Sequence, residues 1–351
     1  MDKRNDSMSA EREPSLEEWR PLYEAAIRFK EARPWEWMTD DQIFGVENPE
    51  TGEVGYVCVT GMLGEHFSLS LYLGTDGLYG LLTLAFDSTA SPDLILQLPL
   101  LQASFEDRNT LRKRDREVVK QLGLRFRGRN AWPMFRSYRP GYEPWYLTAA
   151  EARFLHWGLE QGLEVALRLK EDPDLLPDLD EEELLVRHPI RREDGTLEWE
   201  DVVRPMPEPE PKSISLRLDG ELTDRLFSLP RSDAHFEADL FFFPGAVREK
   251  RGERPYFPYA LVLVDAASGF VLGVELISPI PSLEEAWGKA FTALAALIVR
   301  AGVLPSQMTI RSSVLFETFQ PLAKDLGIRL VRREHLPALD MVRDALFFRF
   351  R

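Results

Sequence analysis

The chain has 351 residues, 44% of them hydrophobic and 29% charged, with a formal net charge of -15 at pH 7. That length exceeds the ~250–300 residues at which one hydrophobic core stops growing, so two domains are expected. The composition excludes a transmembrane helix, an internal disulfide and a cysteine-rich zinc site, because there is no run of about 18 apolar residues and Cys58 is the single cysteine.

Residues 1–14, with the polar start "MDKRNDSMSAEREPS", read as a flexible terminus without the apolar centre of an export signal, and a cytoplasmic location is expected. A helix follows: Pro21 suits a first helical position, and Leu22, Ala25, Ala26 and Phe29 form an apolar stripe up to Pro34. "IFGVENPETGEVGYVCVTG" predicts a hairpin turned at "NPETG", and "HFSLSLYLG" an alternating strand; the glycines of "LGTDGLYG" read as turns. "RFRGRNAWPMFRSYRPGYEPWYL", Arg125–Leu147, holds five arginines and seven aromatics against one acid, and its prolines suggest a rigid loop. Thr148 and Glu151 form a capping box for a long helix through "EARFLHWGLEQGLEVALRLK". From Glu171 to Asp201 there are thirteen acids and three basic residues, so much of the negative charge sits in one segment. That segment ends in a hairpin around Asp194-Gly195. "RPMPEPEPKS" then reads as a stiff linker. The expected layout is an α+β domain over 15–203, a linker over 204–213 and a second domain over 214–351.

The second domain has another rhythm. "HFEADLFFF", "YALVLVD" and "FVLGVELI" are three strands, the last two joined by the tight turn "DAASG". Ser282, with Glu285 three residues on, caps a helix that is apolar nearly all round and stops at Gly302. "MTIRS", a helix ending at Gly327, "IRLV" and a last helix around "PALDMVRDALFF" complete it. This order predicts an α/β domain, a mixed sheet with flanking helices.

From about Phe236 to Phe350, these elements resemble the ribonuclease H-like fold of retroviral integrases and related transposases. "FEADLFFF" supplies Asp239 where that family has its first catalytic aspartate, and "LVLVDAASGFVLGVEL" looks like its second hairpin. "AGVLPSQMTIRSS" matches the frame of the second acid, but Ser312 stands there; Asp340 and Asp344 are nearest to the third. The resemblance implies a degenerate centre, since two-metal phosphoryl chemistry needs carboxylates to hold Mg²⁺ or Mn²⁺. Over residues 20–170, "PWEWM", "IFGVENPETGEVGY" and "FRGRNAWPMFRSYRPGY" are similar to a group of bacterial proteins that brings no activity with it.

The Arg/aromatic stretch is the other candidate. As a binding surface it would use Arg125, Arg127, Arg129, Trp132, Arg136, Tyr138 and Arg139, with arginines on phosphate and rings stacking bases. As a packed loop it would bury its rings and turn its arginines outward or toward the Glu171–Asp201 acids. Asp265 reads as a turn residue, and Asp239, in a strand, as an acid on the solvent face. Five scattered histidines show no ligand spacing, and no phosphate loop, dinucleotide fingerprint or nucleophile elbow is present. The expectation is a non-catalytic binding protein, with no cofactor and no metal, whose partner is a protein or a nucleic acid. The rivals are a metal-dependent nuclease or phosphoryl transferase, taking Mg²⁺ or Mn²⁺ weakly, and a structural interaction module.

Overall fold

A computed structural model describes residues 12–87, 92–209, 211–243, 245–250 and 252–349. The chain forms two compact units, Met1–Arg139 with Pro144–Glu210, and Pro140–Glu143 with Pro211–Arg351. Among the described residues, no helix is long and apolar enough to cross a membrane.

Of the expected flexible terminus, residues 1–11 lie outside the described residues. Arg12 is tied down: its guanidinium forks the Glu18 carboxylate and its carbonyl accepts from the Ala149 amide. The first helix, α1 (Leu16–Ala32), starts five residues before Pro21, because Ser15 and Glu18 form a reciprocal capping box. Pro21 therefore lies inside the helix rather than at its first position.

Seven strands make one sheet: β1 (Phe44–Glu47), β2 (Val54–Thr60), β3 (Ser68–Leu73), β4 (Leu100–Glu106), β5 (Trp132–Tyr138), β6 (Glu183–Arg191) and β7 (Leu197–Pro205). Their order is β5-β4-β3-β2-β1-β6-β7, with β1 and β6 parallel and the other neighbours antiparallel. Alternation gives the sheet two apolar faces. Val57, Val59, Leu69 and Leu71 join the core under α1 and the long helix α4 (Ala149–Glu171), while Tyr56, Cys58 and Tyr72 join a second core with Leu78 and Leu81. The Asp194-Gly195 hairpin is built into this sheet through the β1–β6 pairing.

Two segments differ from the sequence reading. The glycines of "LGTDGLYG" open a helix, α2 (Gly74–Phe86), rather than a series of turns. Gly77 and Gly80 let it lie close to the sheet, since a Cβ would fall 2.7 Å from the Tyr72 carbonyl carbon or 2.1 Å from Leu98 Cδ2. The middle of the Arg/aromatic stretch is β5, a strand at the edge of the sheet, and not loop. Ahead of it, α3 (Lys113–Gln121) packs near α1.

In the second unit, α5 (Gly220–Phe227) precedes β8 (His235–Phe242), β9 (Tyr259–Asp265), β10 (Val271–Ile277), α6 (Leu283–Ala301), β11 (Gln307–Ile310), α7 (Ser313–Leu326), β12 (Arg329–Arg332) and α8 (Pro337–Arg349). The five strands form a mixed sheet in the order β10-β9-β8-β11-β12. The first three pair antiparallel, and β8, β11 and β12 run parallel, as helix-connected strands must. One face, with Phe241, Ala260, Val262 and Val264, is covered by Leu336, just before α8, and by Ala338 and Leu339 in its first turn. The other face meets α6, where Leu297 sits over Gly273, the register partner of Leu263. Asp265 is a turn residue, its Oδ1 accepting from the Ser268 amide and hydroxyl.

Candidate functional site

Asp239 is placed by sheet register. β8 and β11 pair in parallel from His235 opposite Gln307 to Ala238 opposite Ile310, so the next residues, Asp239 and Arg311, stand side by side. Asp239 is only 2% exposed. The solvent-face expectation fails because helices cover both faces of this sheet, as is usual around parallel strands.

The guanidinium of Arg311 holds two carboxylates. Its Nε donates to Asp239 Oδ2 at 2.8 Å and its Nη1 to Asp340 Oδ1 at 2.7 Å. Asp239 Oδ1 accepts from the Leu240 amide at 2.9 Å. Asp340 Oδ2 accepts from the Leu336 amide at 3.1 Å and lies 2.8 Å from His335 Nδ1. Burial pushes the Asp239 carboxyl above its ordinary value, with Arg311 opposing. Burial acts the same way on Asp340, but Arg311 and the Leu336 amide outweigh it and hold that carboxyl below the usual range. Asp239 and Asp340 thus meet at one point, and the cation at that point is a side chain.

Such a centre does not fit a divalent ion. Mg²⁺ needs anionic oxygens at ~2.1 Å, and a guanidinium on those same oxygens supplies both the positive charge and the donors. Ser312 does not face Asp239; it caps α7, its Oγ accepting from the Leu315 amide at 3.3 Å. Asp344 is exposed and makes no ion pair among the described residues. Nor do the described residues contain a group of three or more His, Cys, Asp or Glu able to hold a metal. Arg311 was missed by sequence reasoning through a one-residue frame choice. The signal was present: a serine just before a helix is an N-cap, which assigns the last strand-side position to Arg311.

In the first unit the seven Arg/aromatic candidates divide. Arg125, Arg127 and Arg129 are exposed, Trp132, Tyr138 and Arg139 are half-buried, and Arg136 is buried. Arg136 pairs with Asp115, Arg139 with Glu151, and the Tyr138 hydroxyl reaches Gln102 Oε1 at 3.3 Å. None of these partners lies in the acidic Glu171–Asp201 segment, where Asp201 pairs with Arg168 and Arg187 instead. Tyr146 has three guanidiniums around its ring, those of Arg112, Arg114 and Arg136, at 6.0, 4.2 and 5.1 Å from the centroid. These residues build the domain.

The exposed arginines are joined by others that the sequence reading passed over. A cleft of about 630 Å³ is lined by Arg108, Asn109, Arg116, Gly128 and Arg129 with one acid, Asp107. Asp107 is already engaged, accepting from the Asn130 amide at 2.8 Å. A second cavity, of about 380 Å³, includes Lys30, Arg33, Arg125, Phe126 and Arg127 with one acid, Glu31. The missed signal is a charge count begun at the right place: Arg108 to Arg139 holds eleven Arg or Lys against Asp115 and Glu117. By contrast, a concavity of about 1060 Å³ in the same unit is lined by Asp41, Asp87, Asp178, Asp180, Glu182 and Glu208 and by no Lys, Arg or His.

Two family models match the chain. Residues 19–187 match DUF7309, and residues 222–347 match DUF6930. Both are domains of unknown function. The matches fall one on each structural half, as expected for a two-domain chain whose domains bring no known activity with them. No curated protein matches the chain.

Proposed function

We propose that this is a non-catalytic binding protein, working without metal or cofactor, whose second unit is a ribonuclease H-like domain with its acidic centre closed by an internal arginine. The ion triad of Asp239, Arg311 and Asp340 carries this reading. An antiparallel trio of strands, followed by two helix-connected parallel strands beside the first of the three, supports the fold assignment. The basic clefts of the first unit then provide the binding surface, and a macromolecular partner is held there without being cut.

Isothermal titration with Mg²⁺ and Mn²⁺ tests the closed centre. Neither ion should bind at micromolar concentration, because the guanidinium already occupies the oxygens with which both carboxylates face it. Micromolar binding that is abolished in Asp239→Asn would restore the metal-dependent nuclease reading, which the convergence of the two carboxylates otherwise favours.

A further inference from the structure

We infer that the cleft of Arg108, Arg116 and Arg129, continued by Arg125 and Arg127, binds the phosphates of a single-stranded nucleic acid, a partner class that rests on the binding role proposed above. Each of these five arginines is without an ion pair among the described residues, whereas neighbours Lys113, Arg114, Arg136 and Arg139 are paired with Glu117, Glu13, Asp115 and Glu151. Arg108 lies over the Trp132 ring and Arg116 donates to the Leu111 carbonyl, contacts with neutral groups that leave both charges uncompensated. Here five are gathered on one stretch of surface and three line one cleft.

Their chemistry favours phosphate over carboxylate. A guanidinium presents a planar fork to paired oxygens. A carboxylate has two oxygens and cannot satisfy three forks, while a phosphate spreads its oxygens over a tetrahedron and can meet several. The arrangement favours a strand of phosphates over one. Arg125, Arg127 and Arg129 alternate along a segment that is neither helix nor strand, so consecutive guanidinium-bearing positions are at most ~7 Å apart along the chain. Phe126 and Trp132 lie along the same stretch and are partly exposed, giving an unpaired base an aromatic surface beside the phosphate contacts. Bases in a duplex could not use it.

The test is fluorescence anisotropy of a labelled oligothymidylate with the full chain at about 50 and 200 mM salt, on the wild type and on Arg125→Ala/Arg127→Ala/Arg129→Ala. Five phosphate contacts predict that wild-type affinity falls by about 100-fold between the two salt concentrations, and two remaining contacts predict about sevenfold for the triple variant. The variant should keep the wild-type melting temperature, because the three side chains are exposed. No binding at low salt, or binding that the triple variant leaves unchanged, would sink the site. Polyglutamate binding as tightly as the oligonucleotide would replace it with an acidic protein partner. Recovery of the oligonucleotide cut after incubation with Mg²⁺ would leave the site standing and overturn the non-catalytic reading instead.

Discussion

Arg136 and Asp115 form a two-pronged ion pair almost closed to solvent. Nη1 donates to Oδ1 at 2.9 Å and Nη2 to Oδ2 at 2.7 Å, with side chains 6% and 9% exposed. The pair fastens β5 to the first turn of α3, where Asp115 Oδ2 also accepts the Arg112 amide. An arginine that had been expected to point outward is therefore internal structure. Arg136→Ala should cost ~3–5 kcal/mol, because it leaves a buried carboxylate without its partner. Arg136→Met with Asp115→Leu should recover most of that loss, short of the ~1 kcal/mol of the helix cap. Urea unfolding of the two variants decides it; equal losses would mean that the cost lies in the lost pair and its contacts rather than in the stranded carboxylate.

Trp132 occupies a middle position. It sits on edge strand β5, with Phe126 at 5.6 Å between ring centroids and Arg108 5.9 Å above its ring. Trp132→Ala should cost about 2 kcal/mol, less than the ~3–5 kcal/mol of a fully enclosed aromatic. Arg139→Ala, which breaks a partly exposed pair with Glu151, should cost no more than ~1 kcal/mol. Thermal unfolding that ranks the two in the opposite order would show that β5 is held by its charges.

Gly80 separates local preference from packing. Alanine is the better helix former by ~1 kcal/mol, so helix propensity alone predicts that Gly80→Ala stabilises α2. A Cβ at Gly80 would instead lie 2.1 Å from Leu98 Cδ2, inside a core where Leu98 is buried. The substitution should therefore destabilise by ~1–3 kcal/mol, the usual cost of overpacking. A higher melting temperature in Gly80→Ala would refute the close contact.

Acid should remove the contribution of Glu18. Hydrogen bonding from Arg12 is the main reason that its carboxyl falls from an ordinary 4.5 to about 2, against opposition from partial burial. A carboxyl whose folded pKa lies below its unfolded one resists protonation when folded. Its contribution is complete above about pH 4.5 and is lost as pH falls toward 2. Glu18→Gln should thus lower the melting temperature at neutral pH and flatten its decline below pH 4.5, as a series of thermal melts would record.

What the sequence determined by itself was local. The capping box of Thr148 and Glu151, the Ser282 cap, the glycine stops at Gly302 and Gly327, and the Asp265 turn all depend on hydrogen bonds between residues within one turn of each other. Their geometry follows from backbone chemistry alone, so residue type and spacing suffice to read them. The order of strands and helices from β8 onward was legible from the alternation and caps of each segment, whereas α5 was not read. The tertiary structure decided everything that joins residues distant along the chain. Gly77 and Gly80 resemble turn residues until Tyr72 and Leu98 are seen to press on their helix. Asp239 reads as a surface acid until both faces of its sheet are covered and Arg311, 72 residues away, reaches it. Arg136 carries the same charge as Arg125, but Asp115 is close enough to hold only the former. Whether a charge is buried and paired or exposed and free depends on what the fold brings within about 4 Å, and no spacing along the chain contains that distance.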